Sequence, residues 1–151
     1  MITVLENNDF FEGIFNTRKE AEEYYSAHPE QESCKLIELS FEKYPFYVLE
    51  TGRGNFKYFE NGNTLITFLK ELDLNSLPKS KAFVFYVFDD NKDNYNEEKD
   101  VPGLTVYYIQ EPYRSYTINQ DGIGGLDHYH FDFETLDEVI KTESLKSLGI
   151  E

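Results

Sequence analysis

Seven consecutive apolar residues, Ala82 to Phe88 (AFVFYVF), constrain the fold of this chain more than any other stretch. No polar residue alternates through them, so they read as a strand covered on both faces. The shortness of the run and its aromatic content favour a strand over a helix. The chain holds only three Ala, which weighs against a helical bundle. A sheet must therefore supply much of the core. With 151 residues and 40% apolar side chains, the chain can bury roughly 70% of its unfolded surface as one domain, without a disulfide or a metal.

The rest of the sequence alternates between extended and helical patterns. Met1 to Leu5 and Phe10 to Phe15 read as strands. Thr17 and Glu20 then stand in capping-box spacing. Ala21, Tyr24, Tyr25 and His28 follow at i, i+3, i+4, i+7, one face of a helix that Pro29 stops. Cys34 to Phe41 and Phe46 to Glu50 are extended. Turn residues from Thr51 to Asn55 lead into Phe56 to Phe59, a hairpin signal. Asn61-Gly62-Asn63 reads as another turn. Leu65, Phe68, Leu69 and Leu72 repeat at helical spacing and end before Asn75. After the apolar run comes a polar stretch, Asp89 to Pro102, read as a loop. Leu104 to Gln110 and Tyr113 to Ile118 flank Glu111-Pro112, a second hairpin candidate. Asn119 to Gly125 is a glycine-rich turn, and His128 to Phe133 a last strand. Thr135 and Glu138 match a second capping box, and Leu136, Val139 and Ile140 give the last helix its apolar face. No linker divides residues 1–151. The expectation is a single globular α+β domain, a mostly antiparallel or mixed β-sheet with about three helices packed on it.

Charge narrows the function. Lys and Arg total 14 against 29 Asp and Glu, a net charge of −15. Residues 1–60 hold twelve acids and six bases, 61–100 eight and five, and 101–151 nine and three, so no basic island survives. Nucleic-acid binding needs clustered Lys and Arg on phosphates, and is not expected. A surface of this sign attracts basic partners and speeds encounter with them. No apolar run reaches the length of a membrane helix. Met1 to Phe15 has neither the positive start nor the apolar block of a secretory signal, which predicts a cytoplasmic protein. The single cysteine, Cys34, fits a reducing compartment and excludes a zinc site built on several cysteines.

Two constellations carry chemistry. The first is Asp89 to Asp100 (DDNKDNYNEEKD), with six acids and two Lys. Asp89, Asn91, Asp93, Tyr95, Glu97 and Asp100 occupy positions 1, 3, 5, 7, 9 and 12 of a calcium-loop template. The stretch departs from that template. Asn94 replaces the sixth-position Gly, Asn96 stands at the eighth position, Asp100 replaces the bidentate Glu, and the flanks are not helices. The same stretch offers a recognition surface, Tyr95 standing as an anchor among Asp89, Asp90, Asp93, Glu97, Glu98 and Asp100. The second is Asp127 to Phe133 (DHYHFDF). In a strand, Tyr129, Phe131 and Phe133 share one face, and His128, His130 and Asp132 the other. Two imidazoles and a carboxylate suit a metal such as zinc, or acid–base work. The plainer alternative puts the aromatics in the core and the polar trio in water.

Other motifs point away from catalysis. Asp121 to Gly125 precedes a strand rather than opening a helix, so it reads as a turn and not a phosphate loop. Cys34 begins an apolar segment and reads as structural. No Ser stands in a nucleophile elbow. Tyr and carboxylates adjoin at Glu22 to Tyr25, at Tyr107-Tyr108 and from Glu111 to Tyr116, a pattern suited to a protein-binding face.

Short, acidic and without a leader or a catalytic set, the chain is similar in type to bacterial immunity proteins. That resemblance is one of composition, and it carries over no functional residue. It implies a protein that binds and blocks a toxin made by the same cell, often a basic nuclease. The leading expectation is therefore a cytoplasmic, non-enzymatic inhibitor with no cofactor. It would cover a basic active-site cleft with carboxylates and Tyr anchors, the segment Asp89 to Asp100 making first contact. A small metal-dependent enzyme on His128, His130 and Asp132 is the second expectation, and a calcium-responsive or other interaction domain the third.

Overall fold

The computed structural model describes residues 1–8, 10–27, 31–51, 54–72, 80–88, 93–115 and 126–150, with 80–88 and 93–101 described by their backbone. Ten strands and three α-helices lie in these segments: β1 (Thr3–Asn7), β2 (Phe10–Phe15), α1 (Arg18–Ala27), β3 (Cys34–Glu38), β4 (Phe46–Thr51), β5 (Phe56–Phe59), α2 (Gly62–Glu71), β6 (Ser80–Phe88), β7 (Asp93–Val101), β8 (Leu104–Ile109), β9 (Tyr113–Arg114), β10 (Asp127–His130) and α3 (Phe133–Thr142). The fold is α+β, as the alternation of patterns implies. The strands do not form one sheet. They form a four-stranded sheet A, ordered β3-β1-β2-β9, a four-stranded sheet B, ordered β10-β8-β4-β5, and a two-stranded ribbon β6-β7. Each described pairing is antiparallel.

Period-two alternation explains how the layers stack. On β1, Val4 faces one way and Leu5 the other. Val4 joins Phe11 and Ile14 from sheet A and Phe46, Val48 and Ile109 from sheet B in one buried cluster, so the two sheets pack face to face. Leu5 and Phe15 turn the other way, onto Ala21 of α1 with Tyr24 and Tyr25 alongside. Tyr47, Leu49, Leu104 and Val106 leave sheet B on its outer face and meet Leu65 and Leu69 of α2 and Leu136 and Val139 of α3. The order is α1, sheet A, sheet B, then α2 with α3. Both sheets are thus covered on two sides, which is why their central strands carry long buried runs: Thr3 to Asn7, Phe11 to Phe15 and Phe46 to Leu49.

Local signals explain where the three helices start. Thr17 Oγ1 accepts from the Glu20 amide at 3.2 Å and opens α1, as the capping spacing implies. Pro29, expected to stop that helix, and His28 lie outside the described residues. Asn61 is the N-cap of α2: its side chain accepts from the Thr64 amide at 2.9 Å. The sequence Asn61-Gly62-Asn63 is therefore a helix start and not a separate turn, because Asn satisfies free amide groups as well as it makes turns. Asp132 caps α3 in the same way, accepting from the Thr135 amide at 2.6 Å. The helix begins at Phe133, and Thr135 is its third residue rather than its cap. Phe133 leaves the last strand for the same reason.

Two further expectations are corrected. Glu111-Pro112 does not turn a hairpin. β8 pairs with β4 and β10 in sheet B, whereas β9 pairs with β2 in sheet A, so the chain crosses between sheets there. Residues 93–101 are not a loop. They pair along β6 from Ser80↔Val101 to Phe88↔Asp93. The apolar run is a strand as read, but its expected cover on both faces lies outside what is described of its side chains. No described helix is long and apolar enough to cross a membrane.

Candidate functional site

The acidic segment now has a backbone. Asp89 and Asp90 lie outside the described residues. Asp93, Tyr95, Glu97, Glu98 and Asp100 lie on β7, opposite Phe88, Tyr86, Val84, Phe83 and Lys81 of β6. A strand rises about 3.3 Å per residue, so Asp93 and Asp100 stand roughly 23 Å apart along it. A calcium loop must bring its ligands to within about 2.3–2.6 Å of one ion. The segment 93–100 therefore does not wrap a cation, and the calcium template fails on backbone geometry. It places four acidic residues along one extended strand instead.

His128 and His130 lie on β10, at the edge of sheet B. Their register sets His128 beside Tyr107, and His130 beside Thr105 and, one strand farther, Glu50. Both imidazoles are exposed, with ring centroids 5.3 Å apart. His130 Nδ1 is 3.0 Å from Thr105 Oγ1. Burial lowers the proton affinity of His130, the neighbouring His128 lowers it further, and Glu50 opposes both. Asp132 does not join them. It has left the strand and its carboxylate caps α3. The alternation holds for the rest of the motif: Tyr129 is half-buried, Phe131 is fully buried and the histidines face water. Among the described residues no group of three or more His, Cys, Asp or Glu is placed to hold a metal.

The chain matches no protein family, no curated protein and no solved structure. What it can do must be read from its own residues.

Reading the sequence missed a set of buried carboxylates. Glu12 is fully buried, with Asn7 and Ser115 beside it. The β1–β2 register runs Leu5↔Gly13 and then Glu6↔Phe11, so Glu12 is the extra residue of a β-bulge. Its carboxylate accepts from Asn7 Nδ2 at 3.0 Å and from the Ser115 hydroxyl, while its carbonyl accepts from the Ser115 amide at 2.9 Å. The bulge thus fastens the end of β9 to sheet A. Tyr24 Oη adds a bond to the Ser115 carbonyl at 3.2 Å.

Two further carboxylates lie between the sheets or at their rim. Glu6 is 6% exposed and accepts from Tyr58 Oη at 2.7 Å, a bond from sheet B to sheet A. Glu50 accepts from Tyr107 Oη at 3.2 Å and from the Gly54 amide at 3.0 Å. Burial raises both phenols, and the facing carboxylates raise them further: Tyr107 to about 12, and Tyr58 well above its ordinary value. One sequence signal could have found Glu12, a lone acid inside the apolar strand FFEGIF. In a chain with 29 acids that signal does not stand out.

The Tyr residues expected on a binding face are mostly structural. Tyr24 and Tyr25 bond backbone carbonyls of Ser115 and Gln31. Tyr107 packs edge-on to Phe11 at 5.0 Å, and Tyr108 stacks on Tyr47 at 5.2 Å. Cys34 is half-buried on β3, beside an open cleft of about 300 Å³ that Glu6, Glu32 and Lys35 also line.

Proposed function

We propose that this protein is a protein-binding module that captures a basic partner in the cytoplasm, as an immunity-type inhibitor captures a toxin. The observation that carries this reading is β7: four carboxylates and one Lys on a single nine-residue strand, paired among the described residues only with β6. Extended backbone spaces these charges over about 23 Å, a reach suited to another protein's surface rather than to a small ligand. The net charge of −15 supplies long-range attraction for a cationic partner. Tyr95 shares this strand, and a Tyr is the kind of residue that anchors such an interface. Inhibition would follow from occupying a basic cleft, with no chemistry required of this chain.

The test has two stages. Affinity capture under washes of rising salt identifies a retained basic protein, which is then purified. The purified partner is titrated with wild type and with a variant carrying Asp89→Asn, Asp90→Asn, Asp93→Asn, Glu97→Gln and Glu98→Gln. The expected result is near one-to-one binding, weaker in salt, at least tenfold weaker in the variant, and abolition of the partner's activity on binding. Equal affinity for a folded variant would remove the β7 segment from the interface. A partner that stays fully active when saturated would refute inhibition.

A further inference from the structure

We propose that His128 and His130 form an open two-imidazole site for a divalent transition metal ion at the edge of sheet B. The site is independent of the partner surface above. Both residues project from one face of β10, two positions apart, and both are exposed. Their ring centroids are 5.3 Å apart. A zinc ion bound at about 2.05 Å from each ligating nitrogen stands about 3.2 Å from each centroid, and a tetrahedral angle then sets the centroids about 5.2 Å apart. The observed spacing therefore already suits a shared ion.

The ring planes meet at 72°, an edge-to-face contact rather than the coordinating orientation. Exposed imidazoles turn about χ2 without moving the strand, because that torsion is broad. Thr105 Oγ1, 3.0 Å from His130 Nδ1, engages one nitrogen of that ring and leaves Nε2 as the ligand. That bond steadies the His130 ring, so His128 is the ring that turns to meet the ion. The strand holds the two ligands at a set separation, and the chain's negative charge favours a cation. Among the described residues no third side chain completes the set, so water fills the remaining positions. Imidazole ligands select Zn²⁺, Ni²⁺ or Cu²⁺ over Ca²⁺ or Mg²⁺.

The experiment is a calorimetric titration of the full chain with Zn²⁺ and Ni²⁺ in chelator-free buffer, with Mg²⁺ as control. One saturable site per chain is expected for both transition ions and none for Mg²⁺. His128→Ala and His130→Ala should each lower affinity at least tenfold. Asp132→Ala and His28→Ala should leave it unchanged. A parallel reading on wild type needs no variant to fold: a substoichiometric paramagnetic Ni²⁺ addition should broaden the ring resonances of His128 and His130 before those of His28. Absence of a saturable site, or binding that survives both histidine substitutions, or broadening centred elsewhere, would overturn the proposal. A tenfold loss in Asp132→Ala would restore the three-ligand reading against the pair.

Discussion

Replacing Tyr58 with Phe removes a single oxygen from between the two sheets and leaves the ring in place. That oxygen donates to Glu6 Oε2 at 2.7 Å, and Glu6 is only 6% exposed. A hydrogen bond to a charged acceptor contributes about 1.5–3 kcal/mol, and losing it leaves a buried carboxylate oxygen with little water to replace the donor. Lys35 Nζ stands 3.8 Å from Glu6 Oε1, on a side chain 71% exposed. Such an exposed arm contributes less than about 1 kcal/mol. No cavity forms, so the predicted loss is about 2 kcal/mol from the bond alone. For a chain of this length, that lowers Tm by about 4–8 °C. Denaturant unfolding should show a lower midpoint with the slope unchanged, since the surface exposed on unfolding is the same. Tyr107→Phe is the internal comparison. Glu50 is half-buried and keeps the Gly54 amide at 3.0 Å, so the loss there should be about 1 kcal/mol or less. Pairing Tyr58→Phe with Glu6→Gln in a double-mutant cycle should give a coupling of about 1 kcal/mol or more. A Tyr58→Phe loss below about 0.5 kcal/mol, or one equal to that of Tyr107→Phe, would refute the claim that this bond ties the sheets together.

Asp132→Ala should destabilise the chain by about 1 kcal/mol in a denaturant melt through loss of the α3 cap, and an unchanged midpoint would show that the cap contributes nothing. Gly13→Ala should lose about 1–3 kcal/mol, because a Cβ there would stand 2.6 Å from the ring of Phe15, which is 1% exposed; an undisturbed midpoint would mean that the ring yields freely. Alkaline titration should separate the phenols. Tyr44, through burial and the nearby Glu20, and Tyr107 ionise at about 12 in the folded chain, against about 10 unfolded. The folded state holds those protons more tightly, so stability is complete below about pH 10 and falls as pH rises toward 12. Tyrosinate absorbance should therefore lag in the native protein, and twelve Tyr titrating together near pH 10 would contradict the burial of these hydroxyls.

The carboxylates that hold this fold and those proposed to serve its function are chemically the same, and their backbone settings tell them apart. Glu6 and Glu12 are buried on sheet A, each with hydroxyl or amide donors to hand. The acids of β7 lie along a strand of a separate two-stranded ribbon. Neutralising the first set should damage stability, and neutralising the second should damage capture of the partner.

Local chemistry in the sequence determined a good part of this protein. Thr17 before Glu20, the helical spacing of Leu65, Phe68 and Leu69, and the alternation of Tyr129 and Phe131 with the histidines depend on neighbours within a few residues, and they survive into the structure. So does the net charge that shapes the proposed partner. The tertiary structure alone decided which strands pair. It set β8 against β4 rather than β9, and it gave the polar segment 93–101 a ladder along β6. Pairing joins groups far apart in the chain, and a segment's polarity shows neither whether its amides find a partner nor which strand supplies it. The competition at Asp132 was also settled beyond the local pattern. An Asp at the end of a strand can extend a polar face or cap the next helix, and burial of Leu136 and Val139 against sheet B starts that helix where Asp132 must be its cap.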